Sequence, residues 1–284
     1  MSSFKESAMK GICFLAACVS VMAVFLICWF LFSSGIPAMS EIGFGEFLFG
    51  TSWKPSNGLY GIFPMIMGSV CVTGLAALTG VPVAVLTSVF LVFYCPEKLY
   101  RVVKGGVDLM AGIPSVVYGF FGLVVLVPLL KSCFGISSGK TMLTAAVLLG
   151  VMILPTVAGV IEPALRSVPE SYYEGALALG ASHSRAVYTV CVPAASSGIV
   201  AGLVLGIGRA VGETMAVIMI AGNQPVMPES ILKGIRTLTA NIVLEMGYAE
   251  GLHRNALIAT GVVLFVFILI INVSVSLFYR RKRG

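Results

Sequence analysis

Charge is what this sequence has least of. Only 18 Lys+Arg and 12 Asp+Glu occur among 284 residues, 11% of the chain, where a soluble domain carries about a quarter. So few charges exclude a water-soluble globular protein and leave most of the surface to lipid. Histidine is nearly absent, and His183 and His253 stand in no arrangement that suggests catalysis. The seven cysteines (Cys13, Cys18, Cys28, Cys71, Cys95, Cys133 and Cys191) are odd in number and lack metal-ligand spacing. Most sit inside apolar runs as small hydrophobes, which argues against a disulfide framework or a zinc site. There is no Walker A sequence, so the chain is not expected to hydrolyse ATP. No catalytic residue, metal or cofactor of its own is expected.

What the chain has instead is 58% hydrophobic residues gathered into long runs. Six are long enough to cross a hydrocarbon core, which takes about 20 helical residues: 11–36, 62–94, 107–130, 141–161, 194–221 and 256–278. The second is overlong and carries Gly80-Val81-Pro82; one tilted, kinked span is preferred over two short ones, since neighbouring helices can satisfy the carbonyl that a proline frees. The first outruns a signal peptide's apolar region and no small-x-small cleavage site follows, so it is read as a span. An all-α, polytopic protein of six membrane helices is expected.

With six spans both ends share one side. That side would carry Lys5, Lys10, Lys98, Arg101, Lys104, Arg166, Arg185, Arg280, Arg281, Lys282 and Arg283, and the other Lys54, Lys131, Lys140, Lys233, Arg236 and Arg254. A bias of 11 against 6 places both termini in the cytoplasm. The net charge of +6 thus reflects topology, and nucleic acid is not an expected partner.

Between the fourth and fifth spans lies a cytoplasmic segment, about 162–193, that is long for a plain connection. Ser167-Val168-Pro169-Glu170 reads as a capping box with Ser167 as N-cap and Glu170 at N3. A short helix through Tyr172, Glu174 and Leu177 should stop at Gly180. A second is expected from Ser182 to Val190, with Pro193 marking the start of the fifth span. The segment is either a connector lying on the membrane or a surface on which a soluble partner pushes.

Inside the fifth span sit Arg209 and Glu213, four apart and so one turn apart on a continuous helix. At 100° per residue, Gly198, Gly202, Gly206 and Glu213 fall between about −20° and +60° of Arg209. Stripes of small residues mark close helix contacts in membranes, so the pair should face protein or a water-filled path. A charge at the bilayer centre costs at least about 2.5–3.5 kcal/mol. Two readings follow: an ion pair that fixes helix packing, or an anion path in which the permanently charged guanidinium meets phosphate or carboxylate oxygens. In the third span Ile113-Pro114 reads first as a packing kink. Half-helix ends exposed by such a kink present backbone amides to anions, which makes Pro114 and Ser115 secondary candidates. Asp108 should complete the N-terminus of that span.

The 174–193 segment resembles the EAA motif of ABC importer permeases. Glu174, Gly175 and Ala176 stand at the EAA positions, Gly180 at the glycine, and Val190, Val192 and Pro193 at the closing hydrophobic-x-hydrophobic-Pro. Gly175 for the middle Ala, and Val for the usual Ile and Leu, are its departures. The run Gly208-Arg209-Ala210-Val211-Gly212-Glu213-Thr214-Met215-Ala216-Val217, ending at Gly222-Asn223, is similar to the corresponding segment of phosphate importer permeases of the PstC type. So are Ala111 to Gly119 in the third span and Pro155, Thr156 and Glu162 in the fourth.

That resemblance implies a MetI-like permease domain over 61–284, preceded at 1–60 by a cytoplasmic tail, one outer helix and an extracytoplasmic loop. It implies a bacterial or archaeal cell-membrane permease that moves inorganic phosphate inward by alternating access. Its expected partners are a related permease subunit, an ATPase dimer that holds ATP and Mg, and an extracytoplasmic phosphate-binding protein docking over 37–60 and 223–254. The mixed charges Lys233, Arg236, Arg254, Glu229, Glu245 and Glu250 in the second of these suit either docking or an ordinary solvated loop. Glu174, Gly175, Ala176, Leu177, Gly180 and Pro193 would form the coupling surface, and Arg209, Glu213, Thr214, Pro114 and Ser115 the substrate path. A permease for sulfate, molybdate or another oxyanion, an ATP-independent transporter or channel, and a scaffold reporting phosphate status remain as alternatives.

Overall fold

A computed structural model describes residues 2–281. Helix α1 (Ser2–Ile42) and the short α2 (Phe44–Phe49) lead into a two-stranded hairpin, β1 (Trp53–Lys54) and β2 (Leu59–Tyr60). Helix α3 (Phe63–Val89) follows and continues through a π-helical turn to Tyr94. Next come α4 (Glu97–Gly112), α5 (Ser115–Phe121), α6 (Val127–Phe134) and α7 (Met142–Arg166). The loop that follows holds α8 (Glu170–Ala178), α9 (His183–Ala186) and α10 (Val192–Ala194). Helices α11 (Ser196–Gly212), α12 (Met215–Ile220), α13 (Leu238–Glu245) and α14 (Gly251–Arg281) complete the chain.

Among the described residues five helices are long and apolar enough to span a membrane, and six if the pair bent by 68° at Ala195 counts as one. The connections alternate between two ends. At one end Met142 and Leu143 donate their amides to Lys233 and Ile231, Leu238 donates to the Ser69 hydroxyl, and Trp53 reaches Glu245. At the other, Tyr94 meets Ser184 and Lys104 meets Glu162. Lys282 and Arg283 of the terminal basic run lie outside the described residues.

Helix α7 is the centre, with two-thirds of its apolar window buried. Thr141 caps it, accepting the Thr144 amide at 3.2 Å. Against α7 lies α3, and the two come close because neither side has a side chain at the crossing: a Cβ on Gly80 would fall 2.8 Å from Gly150 Cα and on its carbonyl oxygen. Gly80→Val should cost about 1–3 kcal/mol or more by overpacking, read as a lower denaturation temperature of the purified protein. Pro82 does not divide α3, so the overlong stretch is one 32-residue span. Helix α1 exposes most of its apolar surface and packs on α14 only near its end, where Gly35 closes on Ala259 and Val262.

Two spans differ from expectation. The third begins at Ser115, because 107–112 belongs to the amphipathic α4. Asp108 therefore sits in the last turn of α4, pairing with Lys104 at 3.0 Å, and completes no N-terminus. The fifth is divided: α11 ends at Gly212, Glu213 is extended at φ −70°, ψ 126°, and α12 begins at Met215. The capping box is also absent. Ser167 closes α7, its hydroxyl donating back to the Ala164 carbonyl, and Pro169 stands at the N-cap of α8 without a side-chain bond. A C-terminal turn of α7 and an N-cap of α8 competed for the same serine, and the longer helix took it.

Candidate functional site

The two interrupted helices lie side by side. A Cβ on Gly119 would fall 2.9 Å from Ala216 Cα, and one on Gly122 would fall 3.3 Å from the Ile220 side chain. Helices α5 and α12 therefore run in parallel with Gly119 opposite Ala216, so α5 begins about one turn before α12, and Pro114 and Ser115 lie about a turn ahead of Glu213 and Thr214. Pro114 is extended (φ −60°, ψ 143°) and accepts the Val117 and Tyr118 amides, so it starts a new helix instead of kinking an old one. The Tyr118 hydroxyl reaches back across the break to the Met110 carbonyl at 2.9 Å.

At the second break Glu213 does not continue the face of Arg209. Its carboxylate accepts the Ala216 amide at 3.2 Å and so caps α12. The four leading amides of a helix have no intrahelical partner, and a carboxylate at that end is favoured by the dipole. That need is met locally, and the expected pairing of Glu213 with Arg209 is lost. Among the described residues Arg209 is in none of the seven ion pairs and is exposed on this chain. Thr214 donates its hydroxyl to Gly212 O at 3.2 Å. The glycine stripe performs as expected: Gly198 packs on Ala164, Gly202 on Val157 and Ile161, and Gly206 on Val157, all in α7. A guanidinium in no ion pair among the described residues thus stands on the last turn of α11, just ahead of the second break.

Thr239 was not foreseen. The connection 222–250 folds back so that the Thr239 hydroxyl, buried, donates to the Glu213 carbonyl at 3.2 Å. It holds the broken backbone in place from outside both half-helices. Arg236 and Glu245, expected on a mixed surface, pair with each other instead, Glu245 buried and Arg236 partly so. Arg236 Nη1 lies 2.5 Å from Glu245 Oε1 and also donates to Asn241, while Glu245 Oε2 accepts from Trp53 and lies 2.9 Å from His253 Nε2. Lys233 and Glu229 do form an exposed pair.

At the other end Glu162, 4% exposed, collects the Tyr100 hydroxyl at 2.7 Å, Lys104 at 3.2 Å and Arg166 at 3.2 Å. Burial works to lower the pKa of Lys104, but bonds to Asp108 and Glu162 outweigh it and hold the ammonium above the ordinary lysine value. A raised lysine pKa stabilises fully below the unfolded value and is lost only as pH rises through the folded one, so this cluster stays charged at neutral pH. The i,i+4 spacings Lys104–Asp108 and Glu162–Arg166 were its sequence signal; the link between the two pairs had none.

The later part of the 162–193 segment forms as its residues dictate. Gly180 adopts φ +84°, its amide bonds Leu177 O at 2.9 Å, and Ala181 bonds Ala176 O at 3.1 Å. This is the Schellman closure that a glycine permits. Ser182 caps α9, and the helix then runs through a π-helical turn to Pro193 in α10. Glu174, Gly175, Ala176 and Leu177 all lie on α8, none of whose residues is buried.

Residues 80–284 match the model of the family described as "Binding-protein-dependent transport system inner membrane component". The chain belongs to this family. Among relatives of this transport component, a probable ABC transporter permease protein, YqgH, of Bacillus subtilis is 38% identical, over 96% of this chain and 91% of that protein. The phosphate transport system permease protein PstC of Haemophilus influenzae is 34% identical, over 78% of this chain and 76% of that one. An inward-facing crystal form of the MetNI methionine ABC transporter shares the fold of this component at a TM-score of 0.63 and 22% identity, with 81% of this chain and 99% of that one covered. The MetI-like, all-α permease architecture expected from the sequence is therefore present.

Proposed function

We propose that this chain is one half of the membrane path of an ATP-driven importer of inorganic phosphate. The observation that carries the reading is the exposed Arg209, unpaired among the described residues, just ahead of the break at 213–214, where the next half-helix packs beside α5. Relatives named as phosphate permeases add the substrate. The exposed side of Arg209 faces a related permease subunit, with which this chain encloses the path. An ATPase dimer, holding ATP and Mg, grips α8 from the cytoplasm, and a phosphate-binding protein docks over the extracytoplasmic end. Both termini are cytoplasmic, in line with the excess of basic residues on their side.

ATP binding draws the coupling helices together and switches which side the path opens to; it does so only through contacts that differ between the two states. Phosphate meets Arg209 in passing, held loosely enough to leave. The test is uptake of labelled phosphate into proteoliposomes containing all four kinds of subunit, with sulfate and molybdate as competitors. Uptake that requires ATP and resists both competitors is the expected result. Uptake of another oxyanion would overturn the substrate, and phosphate flux without ATP would overturn the importer.

A further inference from the structure

Helix α8 is held to the membrane helices by very little. None of its residues is buried, and beneath it lies a cavity of about 440 Å³ lined in part by Phe93, Leu165, Arg166, Tyr173 and His183. Its chain connections run only to α7 and, through α9 and α10, to α11. Yet a third helix is in contact. His183 Nδ1 lies 2.7 Å from the Tyr173 hydroxyl of α8. The same imidazole packs edge-to-face with the ring of Tyr94, the last residue of the α3 rod, with centroids 4.7 Å apart at 72°. Tyr94 in turn donates its hydroxyl to Ser184 at 3.2 Å. The imidazole is thus set between a tyrosine of the coupling helix and a tyrosine of a span that the coupling segment does not join in sequence.

We infer that His183 is a positioning residue that carries displacement of α8 across to α3, so that a stroke delivered at the coupling helix moves three membrane helices and not two. Two physical points support this. Over a cavity, α8 can shift without compressing a packed core, whose low compressibility would otherwise transmit strain in every direction. The motion then passes where groups remain in contact, and the Tyr173–His183–Tyr94 chain is such a contact. Edge-to-face aromatic geometry and a hydrogen bond fix both separation and orientation, so the chain can push as well as pull. Since α3 is the helix packed on α7 through Gly80 and Gly150, its displacement reaches the centre of the bundle.

This inference rests on the importer reading, and the experiment separates the two. Phosphate uptake and ATP hydrolysis are measured in the same proteoliposomes for the unaltered complex, His183→Ala and Tyr94→Leu. The expected result is that both variants assemble and hydrolyse ATP while phosphate moved per ATP falls about fivefold, within the range by which residues along a coupling route change it. A residue that served only to keep the protein folded would lower uptake and hydrolysis together and leave their ratio alone. An unchanged ratio in both variants, or a proportional loss of both activities, overturns the inference while leaving the importer intact. Were the unaltered complex itself to move no phosphate with ATP, the importer reading would fall and this inference with it. Tyr94→Leu alters α3 and leaves the coupling segment's own sequence untouched, so it decides the matter if His183→Ala fails to assemble.

Discussion

Arg209→Gln is expected to lower ATP-driven phosphate uptake by about ten- to a hundredfold in a complex that still assembles. The magnitude follows from losing a hydrogen bond to a charged group, about 1.5–3 kcal/mol, at about 1.4 kcal/mol per tenfold. Assembly should survive because the guanidinium makes no ion pair among the described residues and lies exposed on the chain, so its removal strands no partner. Lysine should restore only part of the activity, since a point charge does not reproduce the fork that engages two oxygens at once. The measurement is initial uptake rate against phosphate concentration at saturating ATP. Uptake at the unaltered rate, with the complex intact, would remove Arg209 from the proposed path.

Glu245→Ala should give the largest loss of stability. Glu245 is 7% exposed, and its two oxygens hold Arg236, Trp53 and His253, which come from three separate stretches of chain. Without it the Arg236 guanidinium, itself largely buried, keeps only the Asn223 and Asn241 oxygens. Removing one partner of a buried pair costs about 3–5 kcal/mol because the other charge remains unpaired. The expected outcome is a clear drop in denaturation temperature, together with earlier proteolysis of the 43–62 segment as Trp53 is released. Glu229→Ala is the internal comparison. Its carboxylate, held below the ordinary range by the bond to Lys233, is fully exposed, and no change in denaturation temperature is expected because solvent screens such pairs. Equal effects of the two substitutions would show that the Glu245 cluster is not what fastens this end.

The stretch 170–193 was readable from its own residues because its determinants are local. Gly180 stops α8 through its own φ, and Ser182 caps α9 through an amide three residues on. The Ser167 capping box misled because the motif cannot show that the preceding helix runs as far as Arg166 and claims the serine. Reading Arg209 and Glu213 as one turn apart failed for a related reason. Helical periodicity assumes an unbroken helix, and the break at Glu213 is stabilised by contacts that periodicity does not see: its own carboxylate on Ala216 and the Thr239 hydroxyl on its carbonyl.

What the sequence determined by itself was everything that rests on composition or on neighbours within a turn or two. This covers a lipid-solvated chain of six apolar stretches, the glycine face of α11 as a close helix contact, and the turn at Gly180 with the cap at Ser182. The tertiary structure alone decided which helices break and which charges are buried. The two breaks come within about a turn of each other because α5 and α12 pack side by side from positions about a hundred residues apart. Glu245 is buried because Trp53, 192 residues away, comes to meet it. Such outcomes depend on desolvation and on partners brought from afar, and neither leaves a periodic trace along the chain.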